Sequence, residues 1–361
     1  MARRHIVAPP GRPRRATLSA VAARAGVSTS TASRLLNGAV GSGFSASAAV
    51  QQRVRLAAQA LGYRRRGPAA PAGGTMAMLC VAGDPQVGRL DEAVLHGLAS
   101  GFAAEGIRLE IAMLGESGQE ATSSLAALAQ RSELIGLILD YTHRIPPALD
   151  LAVRRLDRPF VWLNAGLAED SANFADEVAA ADLTRAFIAH GHRQIVFLDL
   201  FHDAVSLAWD HYSARQRQAG YQGAMREAGL RAVVRRPAHR PEGPSAWRAW
   251  CREQAALVAG GVTGFIGCGG EGDFVLAELL VRGLRLGTDV SFATFAPDTP
   301  VCCGWTVAHM RLDRQALGRA AATQLLLRQR PTTSVTVAAT LVVAETLGPA
   351  PGHVTGKLGH R

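Results

Sequence analysis

The sequence predicts an α/β protein made of two unlike parts: a small all-helical head, and a large two-lobed body of parallel sheets covered by helices. Three observations carry this expectation. The first acidic residue is Asp84, and twelve arginines precede it, so the net charge of +10 belongs to the N-terminal segment; the rest of the chain nearly balances 27 basic against 29 acidic side chains. Helical spacing governs the chain up to Tyr63, whereas from Thr75 onward apolar strand runs alternate with helices. That alternation runs on long enough to build two sheets, which places a ligand cleft between two lobes at the carboxyl ends of the strands.

The totals set limits. A chain of 361 residues with 48% hydrophobic and 19% charged side chains can bury the cores of two or three domains. No apolar run is long enough to span a bilayer. The arginine-rich and proline-rich start lacks the apolar stretch of a secretory signal. The five cysteines, Cys80, Cys251, Cys268, Cys302 and Cys303, form no C-x-x-C pair, which argues against a disulfide framework or a zinc cluster. A cytoplasmic protein with no membrane partner is expected. A cation-only segment attracts a polyanion and releases its condensed counterions on binding.

Residues 1–16 mix Arg, Pro and Gly and read as a disordered basic arm, solvated or following DNA phosphates. Leu18, Val21, Ala22 and Ala25 recur at helical spacing, and Gly26 breaks the pattern. Ser28 is suited to cap a second helix, Thr29 to Leu36, which Asn37 and Gly38 stop. Two short helices joined by a glycine turn describe a helix-turn-helix. A third helix from Ala48 to Leu61, capped by Ser47, offers Val50, Val54, Ala57 and Leu61 as its apolar face.

The second helix of such a unit enters the major groove with its N-terminal residues at the base edges. Thr29 and Ser30 stand there, with hydroxyls that donate or accept and a Thr29 methyl that fits a thymine methyl. Arg34 reaches a guanine edge or a phosphate. Ser28, Thr31 and Ser33 suit phosphate oxygens, which fix register without reading sequence.

The run Thr17-Leu18 through Val21-Ala22, Ala25-Gly26-Val27-Ser28 and Thr31-Ala32-Ser33-Arg34-Leu35-Leu36-Asn37-Gly38, ending in Leu61-Gly62-Tyr63, resembles the DNA-binding head of the lactose-repressor (LacI) family of bacterial transcription regulators. The resemblance puts Thr29, Ser30 and Arg34 on base-reading positions of a head spanning 17–63. Two departures stand out. The loop before the third helix is about four residues longer than usual. The linker, 64–74, is Arg64-Arg65-Arg66-Gly67-Pro68 and onward, without the leucine that the family wedges into the minor groove; Pro68 and Pro71 oppose a helix. A flexible basic tether is expected, with Arg64, Arg65 and Arg66 on phosphates or in a narrow groove.

In the body, helices are expected at Ala93–Glu105, Gln119–Arg131, Pro147–Arg155, Glu177–His190, Arg215–Ala228, Ser245–Ala259 and Phe274–Val281. Strands are expected at Met76–Ala82, Arg108–Leu114, Ile135–Asp140, Phe160–Leu163, Gln194–Leu200, Val233–Val234, Gly264–Gly267 and Val290–Phe295. The resemblance extends over this region through Gly191-His192-Arg193-Gln194-Ile195, Arg217-Gln218-Ala219-Gly220-Tyr221, Gly283-Leu284 with Asp289-Val290-Ser291, Leu312-Asp313 with Leu317-Gly318-Arg319, and Leu341 to Thr346. It implies a periplasmic-binding-protein-like body over 75–349. Lobe one covers about 75–172 and 303–331, lobe two about 173–298 and 332–349, and a tail follows at 350–361.

For the cleft, Arg217 is the foremost ligand contact, since a guanidinium offers five fixed donors to hydroxyls or a carboxylate and the resemblance implies an effector role for the matching Arg. Asp91 stands, with Leu90, where many sugar-binding members carry stacking aromatics. Arg89 would favour an acidic ligand, and Asn164 sits at a strand end. Asp273 and Asp298 are substitutes for family acids and amides that this chain lacks. A sugar or sugar-acid type of effector is implied, together with a homodimer that binds a palindromic double-stranded DNA operator, as a repressor by family habit.

An enzyme reading rests on Gly267-Cys268-Gly269-Gly270-Glu271-Gly272, a G-x-G-x-x-G between strand and helix. Glu271 repels phosphate, and the expected acid at the end of the next strand is missing. No Ser-His-Asp order, H-E-x-x-H or P-loop occurs. The adjacent Cys302 and Cys303 carry no mark of activation. No cofactor, metal site or catalysis is expected. A regulator tuned by a protein partner and a cytosolic binding protein stay open as alternatives.

Overall fold

A computed structural model describes residues 17–36, 47–60, 76–81, 90–115, 117–140, 145–156, 158–199, 211–239, 241–269, 272–327 and 331–352. The expected basic arm, the lengthened loop, Asn37, the linker with Arg64, Arg65 and Arg66, and Arg89 lie outside the described residues. The chain divides into two compact units, Met1–Ala69 and Ala70–Arg361.

The first unit is the helical triplet. Thr17 caps α1 (Leu18–Ala25) by accepting from the Ala20 N–H at 3.2 Å, and Gly26 ends it at φ 65°, the left-handed conformation glycine adopts without Cβ strain. Ser28 caps α2 (Thr29–Leu36) through the Thr31 N–H at 3.1 Å. Ser47 accepts from the Val50 N–H at the start of α3 (Ala48–Ala60). Val21, Ala22, Ala25, Ala32, Val54 and Ala57 are buried together and make the core. Small side chains there let three short helices approach closely.

The second unit holds two six-stranded sheets. Lobe one contains β1 (Met76–Val81), β2 (Arg108–Met113), β3 (Leu134–Asp140), β4 (Phe160–Leu163), β5 (Ser171–Phe174) and β13 (Val335–Val337), ordered β13-β5-β4-β3-β1-β2 and parallel throughout. Its helices are α4 (Glu92–Ala103), α5 (Gly118–Ala129), α6 (Pro147–Arg155) and α11 (Arg314–Leu326). Lobe two contains β6 (Ile195–Leu198), β7 (Val233–Arg235), β8 (Gly264–Gly267), β9 (Ser291–Ala296), β12 (Ala308–Arg311) and β14 (Thr340–Val342), ordered β14-β12-β9-β8-β6-β7, with only the β14 edge antiparallel. Its helices are α7 (Asp176–Ala189), α8 (Tyr212–Glu227), α9 (Gly243–Ala256) and α10 (Asp273–Val281). A small hairpin, β10 (Val301–Cys302) with β11 (Trp305–Thr306), follows β9. Parallel strands buried on both faces read as unbroken apolar runs, as Met76–Val81 does and as β3 does up to Leu139.

The expected two-lobed α/β architecture stands, but the chain changes lobe at other points than expected. It crosses at Ala175, again between β12 and α11, and a third time between β13 and β14. Thus β12, expected in lobe one, pairs with β9 in lobe two, and β13, expected in lobe two, pairs with β5 in lobe one. Both misplacements have one cause: β12 is a four-residue strand and β13 a largely exposed three-residue one, too short for an apolar pattern to declare which sheet takes them. The first and third crossings touch, the Ala175 N–H donating to the Val337 carbonyl at 3.0 Å.

Close helix pairs cover the sheets. Gly220 of α8 lies against α7 so tightly that a Cβ there would stand 2.0 Å from the Glu177 carbonyl oxygen. The next residue, Tyr221, is fully buried and its hydroxyl donates to the Ile195 carbonyl at 2.7 Å while accepting from the Val233 N–H at 2.8 Å, tying β6 to β7.

Candidate functional site

In the head, α2 buries Ala32 completely and leaves Ser28, Thr29, Ser30 and Arg34 exposed, with Thr31 and Ser33 half-buried. Ser30 and Arg34 are four apart and share a face. Ser28 is more engaged than expected. Its hydroxyl caps the helix, donates to Thr31 Oγ1 at 2.9 Å and lies 2.9 Å from Ser30 Oγ. Its first duty is to hold the N-terminal turn of α2, which fixes where Thr29 and Ser30 point. The described head has no carboxylate to oppose a phosphate.

In the body, polar groups gather at the carboxyl ends of the strands, in two clusters. The lobe-two cluster is built around Arg217 of α8. Its Nε donates to Asp176 Oδ1 at 2.6 Å, its Nη1 to the Cys268 carbonyl at 2.6 Å, and its guanidinium carbon sits 4.5 Å from the centre of the Phe295 ring. Both partners are buried, Asp176 completely. Burial works against the Arg217 charge, and the Asp176 carboxylate outweighs it, so the guanidinium pKa is raised. Asp176 Oδ2 has no hydrogen-bond partner among the described residues. Asp199, just after β6, is also fully buried and accepts from Arg236 Nε and Nη2 at 3.0 and 2.6 Å.

The lobe-one cluster joins Asp140, Asp91 and Arg314. Asp140 ends β3, and its carboxyl is pushed up to about 7, first by burial and then by Asp91, with Arg314 working against both. Asp91 has its oxygens committed: Oδ1 accepts from the Val94 N–H at 3.0 Å as the cap of α4, and Oδ2 takes Arg314. Asn164 follows β4 at φ 50°, and Tyr212 of α8 donates to its Oδ1 at 2.6 Å. The His211 ring meets the Asn164 carbonyl at 2.9 Å. Residues of lobe two therefore reach Asn164 in lobe one. Burial raises the Tyr212 pKa, so its hydroxyl stays a donor.

Asp273 opens α10 half-buried, with Oδ1 unpartnered among the described residues and a pKa raised by burial. Asp298 is exposed beyond β9. Asp176, Asp140, Tyr212 and Arg314 were missed by sequence reasoning. Asp176 passes for an ordinary acid in a helix first turn, and Asp140 for the last residue of a strand. A hollow of about 440 Å³ lies beside the first crossing, lined by Gly166, Asn173, Phe174, Glu177 and Gln216 among others. None of the expected ligand residues lines it.

At the described residues of the G-x-G-x-x-G segment, two backbone N–H groups are already engaged. The Cys268 N–H donates to Leu198, the Gly272 N–H to Gly269, and the Gly269 carbonyl accepts from Thr294 Oγ1 at 2.9 Å. These two described N–H groups are spent within the fold and not offered to a phosphate. Among the described residues, no group of three or more His, Cys, Asp or Glu is placed to hold a metal ion, and no helix is long and apolar enough to cross a membrane.

Residues 17–66 match the model of the lacI family of bacterial regulatory proteins, and residues 184–347 that of the periplasmic binding protein-like domain. No curated protein sequence matches. Among solved structures the chain resembles the lac repressor dimer bound to operator and the anti-inducer ONPF, at 20% identity and a TM-score of 0.59 over 92% of this chain and 99% of that one. A complex of the transcriptional regulator CelR with cellobiose is similar at 21% identity and TM-score 0.57, over 93% of this chain and all of the other. A LacI family transcriptional regulator from Silicibacter pomeroyi is similar at 20% identity and TM-score 0.58, over 75% of this chain and 98% of that one. At such identity these likenesses establish the fold alone, whereas the two family models fall on the helical head and on the body built from its strand and helix alternation. With a DNA-binding helix-turn-helix joined to an effector-binding body, the chain belongs to the lacI family of bacterial transcription regulators.

Proposed function

We propose that this regulator is a cytoplasmic repressor that acts as a homodimer on a palindromic operator, released or retained by a small sugar-like effector held between its lobes. The observation that carries the reading is the face of α2: Thr29, Ser30 and Arg34 stand exposed beside one another, on a head without carboxylates. Two such heads read two half-sites because a two-fold protein mirrors a two-fold site. The linker 64–74 serves as a basic tether. Operator and cellobiose complexes among the similar structures support the two kinds of partner.

The effector contacts Arg217, Asn164, Asp140 and Asp273, with Asp91 and Asp298 at the rim, and Arg89 favours an acidic ligand. Arg217 arrives already paired with Asp176, so what it offers is oriented N–H groups more than net charge, which suits hydroxyls. Arg34→Ala tests the head. In a gel shift with the gene's own upstream region, specific binding should weaken by roughly 1–3 kcal/mol while random DNA binds as before. Equal loss on both would reduce Arg34 to a phosphate contact. No shift of that region by the wild-type protein, with or without sugars, would overturn the operator reading.

A further inference from the structure

Cys302 and Cys303 sit at the tip of the β10–β11 hairpin. Cys302 pairs with Trp305, so Cys303 and Gly304 are the two turn residues, both left-handed at φ 51° and 85°. This is the two-residue turn whose twist matches a hairpin, with a cysteine where asparagine or glycine is usual. The hairpin is held from its second strand, because Glu345 Oε2 accepts from both the N–H and the hydroxyl of Thr306, at 2.8 and 2.6 Å. Within this frame the two sulfurs lie 3.9 Å apart. Cys303 is exposed and Cys302 half-buried, whereas Cys80, Cys251 and Cys268 are buried.

The separation decides what the pair can do. Closing a disulfide needs the sulfurs at about 2.05 Å and Cα atoms usually 4.4–6.8 Å apart, but adjacent Cα atoms are held near 3.8 Å. The sulfurs would have to move by about 1.9 Å against a short backbone. A single bridging atom asks for much less. With bonds to sulfur of about 2.3 Å, the length in thiolate complexes, and an angle of about 100°, the sulfurs stand about 3.5 Å apart, a movement of about 0.4 Å. A metal ion that wants four protein donors is not served, since no group of three or more ligating side chains surrounds the pair among the described residues. A centre that takes two sulfurs and brings its own third bond is.

We propose that Cys302 and Cys303 form a two-thiol chelating site for a trivalent, thiophilic arsenic centre. Nothing in the regulator's DNA or effector chemistry uses these residues. With phenylarsine oxide the step is a condensation: two As–S bonds form, the As–O bond breaks, and the oxygen leaves as water with both thiol protons. Arsenic stays trivalent and no oxidant or reductant takes part. Burial pushes the Cys302 thiol up to about 12, which hinders attack through a thiolate but not a condensation that consumes the thiol proton. The site also touches the start of α10, where the Cys302 thiol donates to the Asp273 carbonyl at 3.7 Å.

The test uses the full chain, reduced with a phosphine and titrated with phenylarsine oxide, read by intact mass and by protection from a maleimide. One phenylarsenic group per native chain is expected, removed by a dithiol and resistant to a monothiol. Cys302→Ser and Cys303→Asn should each weaken binding on the order of 100-fold or more, the loss of a tethered second bond. Asparagine keeps the left-handed turn, so that variant retains its unfolding midpoint and separates lost binding from lost fold. Absence of an adduct on the native wild-type chain overturns the proposal, as does wild-type affinity in either variant. Zinc chloride alone should leave the exposed Cys303 thiol open to the maleimide; protection by zinc equal to that by the arsenical overturns the three-bond assignment.

Discussion

Replacing Arg217 by alanine is expected to damage the body before it damages ligand response. Asp176 is fully buried and its only charged partner in the described structure is Arg217. Removing one member of a buried pair leaves the other uncompensated, at a cost of about 3–5 kcal/mol. Losing the guanidinium from the Phe295 face adds on the order of 1 kcal/mol. Arg217→Ala should therefore lower the unfolding free energy of the body by roughly 4–6 kcal/mol. The double variant Arg217→Ala with Asp176→Asn should recover much of the loss, since a buried charge no longer remains. Denaturant unfolding followed by tryptophan fluorescence measures all three. A loss below about 1 kcal/mol, or one that the double variant does not reduce, would refute the buried-pair reasoning.

Asp140 gives the body a pH dependence. Its carboxyl, raised to about 7, keeps a proton in the folded state that the unfolded chain has lost above about pH 4. Its contribution is thus fully present below pH 4 and is lost as pH rises to 7, by up to about 4 kcal/mol. Asp140→Asn should remove that slope, and parallel stability curves for variant and wild type from pH 4 to 7 would contradict it. Gly220→Ala should lower stability by at least about 1–3 kcal/mol, because its methyl would meet the Glu177 carbonyl oxygen and the Ala181 nitrogen, both backbone atoms that move only if α7 and α8 separate; an unchanged unfolding midpoint would show that the helices yield easily.

Much of the fold was legible because most of its elements announce themselves locally. The bounds of α6, β4 and β8 coincide with the sequence expectation, as do those of α2. In α6, Pro147 starts the helix where a missing N–H costs nothing. In α2, Ser28 supplies the cap and Ala32 the buried side. By contrast β5 was not expected. Ser171-Ala172-Asn173-Phe174 is fully buried but half polar, and its polar groups are satisfied by tertiary partners: Ser171 Oγ donates to the Trp162 carbonyl, and Asn173 Oδ1 accepts from the Gly166 N–H. Nothing in the four residues themselves records those bonds. The site divides the same way. Arg217 was legible from its surrounding motif, while Asp176, 41 positions earlier in the chain, becomes its partner only when α7 and α8 pack.

The position of that pair bears on how an effector is sensed. Asp176 is the first residue of α7, one step past the crossing at Ala175, and Arg217 carries its hold across to Cys268 at the end of β8. Four residues before Arg217 on the same helix, Ser213 is held by the His211 cap, and Tyr212 beside it reaches into lobe one to Asn164 and the Phe174 N–H. Helix α8 thus binds the root of lobe two at one point and the rim of lobe one at another. A ligand that takes over the Asn164 amide must break the Tyr212 bond or share it, and in either case it changes what joins the lobes. It moves their equilibrium only by the difference between its affinities for the two arrangements. A hydroxyl-rich ligand can make that difference through Asn164, Tyr212 and the Arg217 N–H groups together, because their donors and acceptors come from both sides of the crossing. A ligand bound to Arg217 alone would sit wholly on lobe two, and its binding would leave the lobe angle where it was.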